Sequence, residues 1–272
     1  MLLLTAMLLT AAPDYAAHVA AQKKRYGAAV KDLVTVVEPP FVVWGDEGAL
    51  QVQRSAENTV RWAVKHLEAQ FFARRPAAIY DIFLFKDAAS YTRHAKELWG
   101  DVPTTPFGYA SSQHRALVMD ISTGGGTLVH EMVHPYVAAN FPAAPTWINE
   151  GLASLFEQSA DREGEMVGLT NWRLAGLVDA FREKKVKRFE VLVAGDDGFF
   201  RDEDEAVHYA QARYLMLYLQ ERGLLRAFIK RALEQQQKDP TGATALRETL
   251  GAAEWKGLDD SFRRWVPTLH FP

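Results

Sequence analysis

Short apolar runs dominate the first 120 residues. Thr35-Val36-Val37 leads through Pro39-Pro40 into Phe41-Val42-Val43-Trp44, a β-branched and aromatic stretch closed by Gly45. Residues 79–85 (IYDIFLF) have the same character, and both stretches predict strands. Residues 108–121 predict a hairpin: Gly108-Tyr109-Ala110, a turn at Ser111 to Gln113, then Ala116-Leu117-Val118-Met119. Between these runs the period lengthens. Val60, Ala63, Val64, Leu67 and Phe71 predict a helix over 55–73, and 87–99 reads as a helix with Asp87 as N-cap.

Past residue 122 the spacing is helical almost throughout. Helices are expected at 125–139, 146–158, 170–184, 204–222, 224–237, 242–250 and 254–266, with a Gly- and Asp-rich loop at 195–205. Strands followed by helices predict an α+β fold. The expected architecture is a small N-terminal mixed β-sheet with helices over 13–122, packed on a mainly α-helical part over 123–272, as one compact unit. No internal repeat is visible at solenoid periods.

Composition adds limits. Of 272 residues, 48% are hydrophobic, enough for a sizeable core, and the formal charge of −3 suggests neither a nucleic-acid partner nor a polybasic membrane contact. The chain has no cysteine, which excludes disulfides, lipid attachment through a cysteine and thiolate metal sites. A metal site here must use His and carboxylate groups. Residues 1–10 (MLLLTAMLLT) form an apolar run bounded by Ala11, Ala12 and Pro13, too short to span a bilayer. With small residues before Pro13, residues 1–12 are expected to be a signal peptide and the protein to be exported, periplasmic or extracellular. No Lys or Arg precedes the run, and the first basic side chain is Lys23. No other segment is apolar for long enough to cross a membrane.

The chemistry concentrates in His130-Glu131-Met132-Val133-His134, an H-E-x-x-H motif. Residues four apart share one face of a helix, so both imidazoles can reach one ion, with Glu131 beside them as base for a metal-bound water. Gly124-Gly125-Gly126 breaks the preceding strand, and the helix that follows is apolar around the motif. Pro135 predicts a kink or an early end to that helix, because it offers no N–H to the Glu131 carbonyl. Catalytic zinc takes three protein ligands and keeps one position open. Glu150, in Trp147-Ile148-Asn149-Glu150-Gly151-Leu152-Ala153, is the candidate third ligand, since Pro142 and Pro145 can turn a second helix back against the first.

H-E-x-x-H followed by N-E-G-L-A resembles the gluzincin metallopeptidases, and the spacing of fifteen residues between His134 and Glu150 is similar to that of the bacterial peptidase MA-like group. The resemblance implies a zincin-like core, Zn2+ held by His130, His134 and Glu150, Glu131 as general base, and a peptide or protein substrate. It also implies that the strand before the motif, residues 115–121, is a sheet edge able to pair with an extended substrate, and that a Tyr-Ala-Gln-Ala helix (Tyr209 to Ala212) follows. Where thermolysin-like members carry an Asp that holds a ligand His, this chain has Ser154, so that His must be oriented differently or more weakly. Asn149 matches the Asn-Glu pair of relatives. Tyr209, with His208 as the other candidate, is expected to stabilise the oxyanion, although Tyr209, Tyr214 and Tyr218 also recur at core spacing. The competing reading is a catalytically silent zinc-binding module that holds peptides or surface partners. Intact Glu131 argues against it, because such a site needs no base.

Overall fold

The computed structural model describes residues 12–271, so the expected signal peptide, apart from Ala12, lies outside the described residues. The chain enters through α1 (Tyr15–Tyr26), capped by the Asp14 carboxylate, and pairs β1 (Val34–Glu38) with β2 (Phe41–Gly45). Next come α2 (Ala49–Ser55), a wider turn at Ala56–Arg61 and α3 (Trp62–Gln70), one continuous helical stretch longer than the spacing predicts. β3 (Tyr80–Phe85), α4 (Ala88–Trp99), β4 (Gly108–Ser111) and β5 (Ala116–Asp120) complete the sheet half. Asp87 caps α4 as expected, its carboxylate accepting from Ser90 N at 2.8 Å.

The five strands run in the order β1-β2-β3-β5-β4, with β2, β3 and β5 parallel and β1 and β4 antiparallel on the two outer edges. Side chains alternate between two buried layers. Phe41, Val43, Ile82, Leu84, Leu117 and Met119 face the main core, while Val42, Trp44, Phe83, Phe85, Ala116 and Val118 face a second one shared with α1 and α4. Burial on both faces is why the three parallel strands read as unbroken apolar runs. Buried Asp81 ties α1 to the sheet by accepting from His18 Nε2, Gln22 Nε2 and Trp44 Nε1 at 2.7–2.9 Å.

One expectation is corrected here. The strand before the motif is not an edge: β5 lies between β3 and β4, hydrogen-bonded on both sides. The free edge belongs to β4, the first arm of the hairpin. The apolar arm, Ala116 to Asp120, is buried at every position and takes the interior place, while the more polar Gly-Tyr-Ala-Ser arm takes the rim.

The second half is α5 (Gly126–Asn140), α6 (Thr146–Leu155), a small hairpin of β6 (Ser159–Arg162) and β7 (Glu165–Gly168), then α7 (Arg173–Arg182), α8 (Phe189–Ala194), α9 (Glu205–Glu221), α10 (Leu225–Gln235), α11 (Ala243–Leu250) and α12 (Trp255–Trp265). The seven expected helices are all present. The β6–β7 hairpin and α8 are additions; the hairpin strands are only four residues each, and their turn rests on Glu163 and Gly164 at positive φ. No described helix is long and apolar enough to cross a membrane. The sequence therefore folds as a mixed α+β protein with its sheet N-terminal and its helices gathered toward the C-terminus.

Helix α5 continues through Pro135 to Asn140. Tertiary contacts outweigh the lost hydrogen bond. Tyr136 is buried and donates from its hydroxyl to Glu68 at 2.7 Å, and the Asn140 amide bonds the Tyr136 and Arg74 carbonyls. His134 therefore stays on the same helical face as His130.

Helix α6 lies against α9, and the approach is close because residue 151 is glycine. A Cβ there would meet the Ala212 carbonyl oxygen at 3.0 Å and Met216 Cγ at 3.2 Å. A branched side chain would push α6 off α9 and carry Glu150 with it. Gly151→Val is expected to lower unfolding free energy by about 1–3 kcal/mol, the usual range for overpacking. Urea denaturation measures it, and an unchanged midpoint would show that the two helices are not in the tight contact described.

Candidate metal centre

Helix α5 sets His130 and His134 one turn apart with ring centroids 5.0 Å from each other. The prolines at 142 and 145 bring the chain back so that Glu150, on the second turn of α6, faces both rings. Its Oε2 lies 3.5 Å from His130 Nε2 and 3.9 Å from His134 Nε2. One donor atom from each of the three residues falls within 4.8 Å of the others. Bonds of 2.0–2.2 Å at a tetrahedral ion place donors roughly 3.4 Å apart, so the three groups fit a divalent cation with little movement.

Each imidazole uses its other nitrogen to face the protein. His134 Nδ1 is 3.0 Å from Asn149 Oδ1, which makes Asn149 the group that orients that ring. His130 Nδ1 lies 3.2 Å from Glu157 Oε1, within ion-pair distance but not aligned as a hydrogen bond. Glu157 is itself held by Arg173, from Nε at 2.8 Å and Nη2 at 2.7 Å, and by Asn171 Nδ2 at 3.0 Å. Ser154, one turn after Glu150, is fully buried with no partner for its hydroxyl. The carboxylate that does approach the His130 ring lies three residues further along, at Glu157.

The electrostatics favour a cation between these groups. Burial opposes charge on His130, but its contacts with Glu150 and Glu157 outweigh that and hold its pKa up to about 10. Burial likewise opposes ionisation of Glu150, and the two imidazoles overcome it, keeping its pKa below the ordinary carboxyl value. For Glu157 the opposition of burial is exceeded by hydrogen bonds from Arg173 and the contact with His130, which pull it down to about 2. Carboxylates that favour the charged form of an imidazole between them attract a metal ion in the same way.

Glu131 points to the same side, with Oε2 3.9 Å from His134 Nε2. It lines a cleft of about 1260 Å³ together with His130, Glu157, Arg173 and Tyr209. Thr105, Phe107 and Gly108, leading into β4, also line it, and Trp62 and Trp172 add aromatic surface. The structure separates the two candidates on α9. Tyr209 faces the cleft, and burial followed by the charges of Glu150 and Glu205 raises its pKa, so the phenol keeps its proton. His208 is fully buried, stacked on Phe199 at 3.8 Å, with Nδ1 2.8 Å from the Phe199 carbonyl oxygen, and it takes no part in the cleft. Tyr214 and Tyr218 are core residues, as their spacing suggests.

Residues 125–241 match the family model described as "Protein of unknown function (DUF1570)". The matched stretch is under half of the chain, yet it holds His130, Glu131, His134, Glu150, Glu157, Arg173 and Tyr209. No curated protein matches the chain.

Sequence reasoning missed Glu157, Asn171 and Arg173. A signal for the first was present: seven residues separate it from Glu150, two helical turns, so the two share a stripe. Arg173 and Asn171 follow a hairpin and carry no motif. The three-donor set leads to a direct expectation: the purified chain takes up one equivalent of Zn2+. His130→Ala and Glu150→Ala should each weaken that binding by at least about a hundredfold, as loss of one of three ligands requires. Competition with a chromophoric chelator reads the affinity, and full affinity in either variant would remove that residue from the ligand set.

Proposed function

We propose that the chain is a zinc-dependent metallohydrolase that cleaves peptide bonds, a gluzincin-type peptidase with a zincin-like core. The observation that supports this most is the placement of Glu131: a carboxylate beside the His-His-Glu triad, at the wall of an open cleft, where a reacting water and a substrate carbonyl can both reach it. A non-catalytic metal site would need neither the extra carboxylate nor the cleft.

His130, His134 and Glu150 would hold the ion, which when bound supplies a Lewis acid and lowers the pKa of a coordinated water. Glu131 takes the proton of the attacking water and passes it to the leaving amine. Tyr209, kept protonated by burial and by Glu150 and Glu205, donates toward the oxygen that gains negative charge. The outer side of β4, unpaired within its sheet, offers backbone groups to an extended peptide entering beside Gly108. Arg173 is committed to Glu157, so the orienting network leaves the reacting carbonyl to Tyr209.

Glu131→Gln should retain one equivalent of zinc while hydrolysis of a mixed peptide library falls by about 10³-fold or more, the scale of a lost general base added to a lost nucleophile activation. Tyr209→Phe should lower kcat by roughly 10²-fold with KM little changed. Library cleavage read by mass spectrometry checks both. Wild-type protein that holds zinc but cleaves nothing would favour the silent binding module, and a Glu131→Gln variant with full turnover would overturn the base assignment.

A further inference from the structure

The network behind His130 is more extensive than a ligand histidine needs for support alone. Glu157 is 8% exposed, and its four oxygen contacts use both faces of the carboxylate. Oε1 meets Arg173 Nη2 and His130 Nδ1; Oε2 meets Arg173 Nε and Asn171 Nδ2. Asn171, fully buried, is fixed in turn: its Oδ1 accepts from Arg173 N at 3.1 Å and its backbone N–H donates to the Tyr214 hydroxyl at 3.1 Å. On its other side the Arg173 guanidinium lies 5.7 Å from the Tyr209 ring centre. The backbone is braced as well. A Cβ on Gly126, at the first turn of α5, would come within 2.1 Å of the Glu157 carbonyl oxygen, so the motif helix and the segment bearing Glu157 touch directly.

We propose that Glu157 is the positioning residue for His130, in place of the acid missing at Ser154, and that Arg173 is the clamp that makes it one. This inference rests on the metal site proposed above. The chemistry follows from the geometry. A ring that donates from Nδ1 to a fixed carboxylate presents Nε2 unprotonated and correctly turned toward the ion. The two atoms are already 3.2 Å apart, within reach of that donation. The planar guanidinium fork holds both carboxylate oxygens at once, which a lysine ammonium cannot do. It also cancels most of the carboxylate charge, so Glu157 orients the ring without competing as a fourth ligand.

Zinc affinity and the visible spectrum of the Co2+-substituted protein test the assignment without reference to turnover. Glu157→Gln and Arg173→Lys are each expected to weaken zinc binding 10- to 100-fold and to change the Co2+ bands. The double variant Glu157→Gln/Arg173→Lys should be no more than about twofold weaker than Glu157→Gln, because the two residues act as one unit. A merely structural ion pair would lower the thermal midpoint of the metal-free protein and leave the Co2+ spectrum as in wild type. Zinc affinity within twofold of wild type in Glu157→Gln, with an unchanged spectrum, overturns the proposal while the metal site stands. Arg173→Lys keeps the charge and supplies the second measurement if Glu157→Gln does not fold. Wild-type protein that binds neither Zn2+ nor Co2+ overturns the metal site itself, and this inference with it.

Discussion

A buried charge must be matched close at hand, and the helical half of this protein is arranged around that requirement. Glu150 and Glu157 are withdrawn from solvent on one side of the motif helix. Neither could stay ionised there alone. His130 stands between them, Arg173 closes the outer carboxylate, and His134 flanks the inner one. The loops and helices from residue 140 onward can be read as the means of bringing these charges within reach of one another. The turn at 142–145 returns Glu150, the β6–β7 hairpin leads the chain round to Asn171 and Arg173, and α9 packs beneath to seal the layer.

Two glycines make that arrangement compact. Gly151 lets α6 settle on the Ala212 backbone, and Gly126 lets the start of α5 touch the carbonyl of Glu157. Because both contacts are between backbones, the triad's geometry depends little on side-chain freedom. Pro135 fits the same picture. It removes one hydrogen bond from α5, but Tyr136 and Asn140 anchor the last turns, and the face carrying both imidazoles stays straight.

Much of this was legible in the residues. The triad was, because H-E-x-x-H and N-E-G-L-A fix offsets that a helix converts into shared faces. So were the parallel strands, whose apolar runs reflect burial on two sides. What could not be read was order in space. The strand next to the motif looked like a rim because it is next to the motif, yet hydrophobicity places it inside and its hairpin partner outside. The network behind His130 was hidden for a related reason: only Glu157 carries a periodic mark, its two-turn offset from Glu150, while Asn171 and Arg173 come from a loop and a helix start, where no period marks them. Choosing between His208 and Tyr209 needed the rotation of α9, since neighbouring residues point about 100° apart around a helix.

The cleft is assembled from two parts of the chain with separate duties. Everything that would hold the ion lies after residue 125, while Trp62, Thr105, Phe107 and Gly108 in the cleft lining come from the sheet half. Under the proposed function, selectivity and reactivity would therefore be built as separable modules. Those sheet-half residues could then be resculpted, one by one, to admit a different guest, while the groups that would hold the ion stay as they are.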